Sequence, residues 1–87
     1  MEKFKIDEFG RKIFSDENNK FHNESGPALI YKTGTKMWFK HGIQHREDGP
    51  AYERTDGYKA WYLNGKWLKT IKSQEEFERY LKLIAFQ

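Results

Sequence analysis

Apolar and polar residues alternate in short runs along most of the chain, the runs are cut by glycine-containing pairs, and after Lys72 the spacing changes to that of a helix. The alternating part repeats with a period of 23 residues. FHNESGPALIYKTGTKMWFKHGI (21–43) is followed directly by QHREDGPAYERTDGYKAWYLNGK (44–66). Nine aligned positions are identical: His22/His45, Glu24/Glu47, Gly26/Gly49, Pro27/Pro50, Ala28/Ala51, Gly34/Gly57, Lys36/Lys59, Trp38/Trp61 and Gly42/Gly65. Thr33-Gly34 and Asp56-Gly57 sit between runs rich in β-branched and aromatic residues, where such a pair signals a tight hairpin. His41-Gly42 and Asn64-Gly65 mark a second turn. Glu24-Ser25-Gly26-Pro27 and Glu47-Asp48-Gly49-Pro50 mark a third, where proline fixes φ and withholds a ladder donor at a strand start. Each unit therefore reads as strand, turn, longer Trp-bearing strand, turn and short His-bearing segment.

A degenerate earlier copy occupies residues 1–20: Gly10-Arg11-Lys12-Ile13-Phe14 parallels Gly34-Thr35-Lys36-Met37-Trp38, with one inserted residue before His22. Ser73 followed three residues later by Glu76 forms a capping box. Phe77, Tyr80, Leu81 and Ile84 then recur at helical spacing with Glu78, Arg79 and Lys82 opposite, which predicts an amphipathic helix over 73–86. A lone hairpin cannot bury its apolar face, whereas stacked copies under a helix can. The expected fold is α+β in one domain of 87 residues: an antiparallel β-meander of three tandem hairpins, covered on one face by the C-terminal helix.

Register assigns the faces. With an even number of residues in each turn, Tyr31 is opposite Lys36, Leu29 opposite Trp38, Arg54 opposite Lys59 and Tyr52 opposite Trp61. One face then carries Tyr31, Lys36, Trp38, Tyr52, Arg54, Lys59 and Trp61, joined by Lys5, Asp7, Lys12 and Phe14 from the first hairpin. The other gathers Phe4, Ile6, Ile13, Ala28, Ile30, Met37, Phe39, Ala51, Ala60 and Tyr62, interrupted by Ser15 and Glu53, and is the expected seat of the helix.

Composition sharpens this in two respects. No cysteine is present, which removes disulfides, thiolate nucleophiles and Cys-based zinc sites. The opening MEKFKIDEFG alternates charges without an apolar run, so the expectation is a protein of the cytoplasm with no signal peptide or membrane span. The net charge is only +3, but no acidic residue lies between Glu24 and Glu47, where Lys32, Lys36, Lys40 and Arg46 stand, or between Asp56 and Glu75, where Lys59, Lys66, Lys69 and Lys72 stand. A cationic field over the repeats suits anionic partners.

An aromatic face interleaved with bases matches single-stranded nucleic acid, because bases stack on rings while cations follow the phosphates. It equally suits a protein partner, since Trp, Tyr and Arg dominate protein hot spots. The candidate binding residues are Tyr31, Lys36, Trp38, Tyr52, Arg54, Lys59 and Trp61, with Lys5, Lys12, Lys40, Arg46 and Lys66 as secondary basic positions. His22-x-Glu24 and His45-x-Glu47 would point an imidazole and a carboxylate the same way on an extended segment. Their recurrence before each Gly-Pro turn favours a structural hydrogen bond over acid–base catalysis. Spacing disfavours a metal shared by His22 and His45, since equivalent positions of consecutive hairpins lie two strand spacings, about 10 Å, apart. No catalytic residue, cofactor or metal is expected.

W-Y-L-N-G-K and W-F-K-H-G-I-Q-H-R-E-D-G-P-A resemble MORN repeats, which also run 23 residues. The likeness is closer to a bacterial and phage variant carrying H-R-x-D-G-P-A, a group that includes toxin-antitoxin antitoxins and small phage proteins. It covers residues 10–69, two copies well and one poorly. Gly-Pro-Ala replaces the H-G-x-G of standard MORN, which sets aside the lipid association often ascribed to such arrays. The resemblance implies a non-enzymatic stoichiometric inhibitor acting on a toxin or host defence nuclease, with RNA as a further ligand, in the host cytoplasm if phage-encoded. Two other classes are carried with it: an assembly module forming homo-oligomers through sheet edges, and a small His/Glu hydrolase.

Overall fold

The structure, a computed structural model, describes residues 4–85. Residues 1–3 of the expected first hairpin and residue 86 of the expected helix lie outside that range. Ten short strands precede one helix: β1 (Phe4–Ile6), β2 (Lys12–Phe14), β3 (Leu29–Ile30), β4 (Lys36–Met37), β5 (Phe39–Lys40), β6 (Ile43–Gln44), β7 (Tyr52–Glu53), β8 (Lys59–Ala60), β9 (Tyr62–Leu63), β10 (Lys66–Trp67) and α1 (Gln74–Ile84). The architecture is the expected α+β one, an antiparallel meander of hairpins with a C-terminal helix. The meander is divided, however. β1-β2-β3-β4-β7-β8 form one six-stranded sheet, and β5-β6 and β9-β10 are separate two-stranded sheets. The long strand expected around each tryptophan breaks at Trp38 and at Trp61, so each later repeat makes a large hairpin and then a small one.

The large hairpins have odd loops. Tyr31 N–H donates to the Thr35 carbonyl at 2.8 Å and Gly34 N–H to the Tyr31 carbonyl at 2.9 Å; Arg54–Tyr58 with Gly57 and Asp7–Arg11 with Gly10 repeat this pattern. Three residues therefore turn the chain, and the last is a glycine at positive φ, +99° at Gly34 and +95° at Gly57. This overturns the register expected from even loops. Leu29 is opposite Met37, not Trp38, and Ile30, not Tyr31, is opposite Lys36. Tyr52 is opposite Ala60, not Trp61, and Glu53, not Arg54, is opposite Lys59. A slip of one residue moves each side chain to the other face.

Two rows result. Lys5, Ile13, Leu29, Met37, Tyr52 and Ala60 run across one side of the sheet, and Ile6, Lys12, Ile30, Lys36, Glu53 and Lys59 across the other. Carrying the same registers one residue further, through the bonds of Phe14 to Ala28, Trp38 to Ala51 and Ala51 to Ala60, lines up Phe14, Ala28, Trp38, Ala51 and Trp61. Aromatic rings alternate there with alanines of zero exposure, so the Ala of each Gly-Pro-Ala is the small residue between two large ones.

The three aromatics of that row are covered in three ways. Phe14 meets Phe4 with ring centroids 5.4 Å apart, Arg46 lies 4.0 Å over Trp38, and the helix covers Trp61. Trp61 is 3% exposed and packs with Leu68 and the fully buried Phe77, with Leu63, Ile71, Tyr80 and Leu81 around them. Its Nε1 donates to Gln74 Oε1 at 3.0 Å. The helix thus sits on the tryptophan side rather than on the face holding Met37 and Ala60. Ser73 caps the helix by accepting Glu76 N–H at 3.2 Å, while Glu76 Oε1 accepts Lys72 N–H at 2.7 Å. The first bond satisfies an orphan donor of the first turn, and the second fixes the residue before the cap.

Candidate functional site

Polar side chains converge at the turns of the small hairpins. His41-Gly42 and Asn64-Gly65 have φ of 49° and 85°, and 52° and 83°, as a two-residue type I′ turn requires. In each case the start of the same 23-residue repeat supplies an acceptor for the first turn N–H. His41 donates to His22 Nδ1 at 3.0 Å and Asn64 to His45 Nδ1 at 2.9 Å. The next amide does the same through backbone, Gly42 to the Phe21 carbonyl at 2.7 Å and Gly65 to the Gln44 carbonyl at 2.8 Å. With Nδ1 accepting, a neutral ring carries its proton on Nε2. That atom faces Glu24 Oε1 at 2.6 Å in one repeat and Glu47 Oε2 at 3.4 Å in the next. His-x-Glu is therefore a latch between the start of each 23-residue repeat and the turn near its end, with both ring nitrogens engaged.

The first latch carries an addition the second lacks. His41 stacks on His22 with centroids 3.9 Å apart and planes 16° from parallel, and its Nδ1 lies 2.8 Å from Asp16 Oδ2. Asp16 Oδ1 also accepts the Asn18 and Lys20 amides at 2.9 Å each. The bond to His41, then those backbone amides, hold the Asp16 carboxyl down at about 2. The corresponding position of the next repeat is Asn64, which can form no such stack.

His22, Glu24 and His41 offer donor atoms within 4.8 Å of one another, a closeness a shared cation would need. Two features oppose that use. The His22 lone pair is committed to the His41 amide, and in stacked rings the lone pairs run side by side instead of converging on a point about 2 Å from each nitrogen. Sequence spacing pairs His22 with His45; the fold pairs it with His41.

The sequence-derived binding residues divide between the two sides of the sheet. Lys12, Lys36 and Lys59 share one row, with Ile30 and Glu53 between them. Adjacent lysines are two strand spacings apart, about 10 Å. Among the described residues neither Lys36 nor Lys59 has an ion-pair partner, while Lys12 lies 4.3 Å over the Phe4 ring. Half-buried Trp38 stands beside this row under Arg46, whose Nε bonds Asp48 Oδ1 at 2.7 Å and whose Nη1 bonds the Pro50 carbonyl at 3.0 Å and Glu53 Oε2 at 3.3 Å. Arg46 holds the Asp48 carboxyl below its ordinary range. Trp61 belongs to the core and offers no stacking surface.

Tyr52 and Arg54 lie on the other side, where Arg54 is 4.6 Å over the Tyr58 ring and bonds both oxygens of Asp56 at 3.2 and 2.7 Å. Tyr31 is stacked under Arg11 at 5.6 Å, and Lys5 begins the Ile13–Ala60 row. Lys40 and Lys66 are exposed on the small hairpins, opposite Ile43 and Leu63. The fold thus brings Lys12, Lys36, Lys59 and Trp38 together and separates Tyr52 and Arg54 from them.

Sequence reasoning passed over Asp16, His41, Tyr58, Tyr62 and Trp67. The last was within reach: a two-residue Asn64-Gly65 turn places Trp67 opposite Tyr62, as observed. Comparison with known proteins gives no match, neither to a family model nor to a curated protein nor to a solved structure.

Proposed function

We propose that the chain is a non-enzymatic, MORN-like binding module that works in the cytoplasm as a stoichiometric inhibitor of antitoxin or counter-defence type, on a toxin or defence nuclease, with RNA as its co-ligand. The inhibitor class follows from the repeat resemblance. The RNA element is carried by one observation, the row of Lys12, Lys36 and Lys59 at the same position of three repeats, two of them without an ion-pair partner among the described residues. Fixed cations at a regular spacing track a phosphate backbone without reading its sequence. Trp38, half-buried beside the row, gives one base a ring edge to rest on. A nuclease's own substrate cleft is cationic, so this row is better matched to the RNA than to that cleft. The His–Glu pairs support a non-catalytic reading because their ring nitrogens hold turns.

Filter binding of a labelled single-stranded RNA over a salt series tests this. Lys36→Glu with Lys59→Glu should weaken binding and reduce the log-log salt slope by about 0.7 for each phosphate that is no longer neutralised. An unchanged slope in the folded double variant would remove this row as the site.

A further inference from the structure

The opposite side of the sheet carries a second surface that does not depend on the lysine row. Met37, Tyr52 and Ala60 are directly opposite one another in register, and Tyr62 and Trp67 are paired on the small hairpin that follows. With Tyr58 these residues line a cavity of about 200 Å³. Ala60, 4% exposed, is its floor, while Tyr58 and Trp67 stand open at 44% and 47%. The Tyr52 and Tyr58 rings meet edge-on with centroids 5.9 Å apart. Arg54 braces Tyr58 from one side and is itself neutralised by Asp56. None of the lining residues is charged.

Chemistry narrows the occupant. A polyanion would find aromatic faces but no cation among the lining residues, since Lys59 and Lys36 point to the other side of the sheet. A cofactor or free sugar is poorly served, because small-molecule sites generally start near 300 Å³ and need converging polar groups. What the groove does offer is aromatic walls, two of whose rings meet edge-on, and three donors, the Trp67 indole N–H and the Tyr58 and Tyr62 hydroxyls, which have no protein partner among the described residues. A polyproline II strand supplies the complement: prolyl rings that lie on aromatic faces, carbonyls left unbonded by its own backbone, and little chain entropy to lose. We propose that this groove docks a proline-rich, uncharged segment of a partner protein in the polyproline II conformation.

Calorimetric titration of the full chain with an oligoproline peptide, against a Gly-Ser peptide of equal length, tests the proposal. Saturable binding of oligoproline alone is expected, weakened about tenfold by Trp67→Ala and by Tyr58→Ala, the scale of one aromatic contact. Lys36→Glu with Lys59→Glu should leave it unchanged, so this site and the RNA row fail or stand separately. If Trp67→Ala does not fold, as judged by circular dichroism, Tyr58→Ala at an exposed turn still decides. Absence of saturable oligoproline binding, equal binding of the Gly-Ser peptide, or full affinity in a folded Tyr58→Ala protein would each overturn the proposal.

Discussion

His45 Nδ1 accepts the backbone N–H of Asn64 at 2.9 Å, nineteen residues away, and His22 does the same for His41. One imidazole per repeat thus ties the start of the 23-residue unit to the turn near its end, through an amide that the small hairpin leaves open. Removing the acceptor while leaving the amide in place should cost about 1 kcal/mol. We expect His45→Ala to lower the urea midpoint accordingly, and His45→Asn, which can return an oxygen to the Nδ1 position, to recover most of the loss. Equal midpoints for wild type and His45→Ala would show that the latch contributes nothing.

Asp16 gives the first latch an acid response. Its folded carboxyl titrates at about 2 against an ordinary 3.8, because the His41 ring and the amides of Lys20 and Asn18 favour the charged form. A depressed carboxylate stabilises the fold fully above 3.8 and loses that contribution as pH falls toward 2. Thermal melts across this interval should therefore decline more steeply for wild type than for Asp16→Asn, while above it Asp16→Asn should be the less stable of the two. Parallel pH profiles would refute the assignment.

The two repeat tryptophans should respond unequally. Trp61 lies beneath the helix against Phe77, whereas Trp38 is half-buried beneath Arg46. Truncating a buried Trp to Ala typically costs about 3–5 kcal/mol, a large part of the stability of a domain this size. Trp61→Ala should abolish a cooperative urea transition or shift it far to lower denaturant. Trp38→Ala should shift it less, and the opposite order would overturn the account of the core.

Gly34 and Gly57 both need positive φ, yet their surroundings differ. A Cβ on Gly57 meets nothing within 4 Å, while one on Gly34 falls 2.6 Å from Thr55 Cγ2. Gly57→Ala should cost about 1–2 kcal/mol, the backbone penalty alone. Gly34→Ala should cost more, and Thr55→Ser, which deletes that methyl, should bring the two into line. Chemical denaturation of the single and double variants checks the difference.

The elements were legible because their signals are local. The Ser73–Glu76 signal is observed as a cap, with Ser73 accepting the Glu76 amide and the Glu76 carboxylate accepting that of Lys72, and each glycine pair of the sequence forms a turn. The structural reading of His-x-Glu was legible too, since a motif that recurs with a turn serves the turn, although its partner amides lie nineteen residues away and no local pattern reveals them. The site was less legible. The lysines of the candidate site could be picked out by their repetition, but their neighbours could not, because Asp56-Gly57 reads alike in a two-residue and a three-residue loop.

The sequence by itself determined that the chain is a repeat, where it turns, where it becomes helical, and that Lys12, Lys36 and Lys59 hold equivalent positions. Those features depend on φ preferences, capping and periodicity, which act within a few residues. Tertiary structure alone decided the faces and the fates of equivalent side chains. A third loop residue at Gly34 and Gly57 put Tyr52 on one side and Lys36 and Lys59 on the other. Trp38 and Trp61, identical in the repeat, parted because the helix returns over the last copy only and Arg46 shields the one before it. Loop parity and the direction of a returning helix are set by what buries the most apolar surface over the whole domain, and no single repeat contains that information.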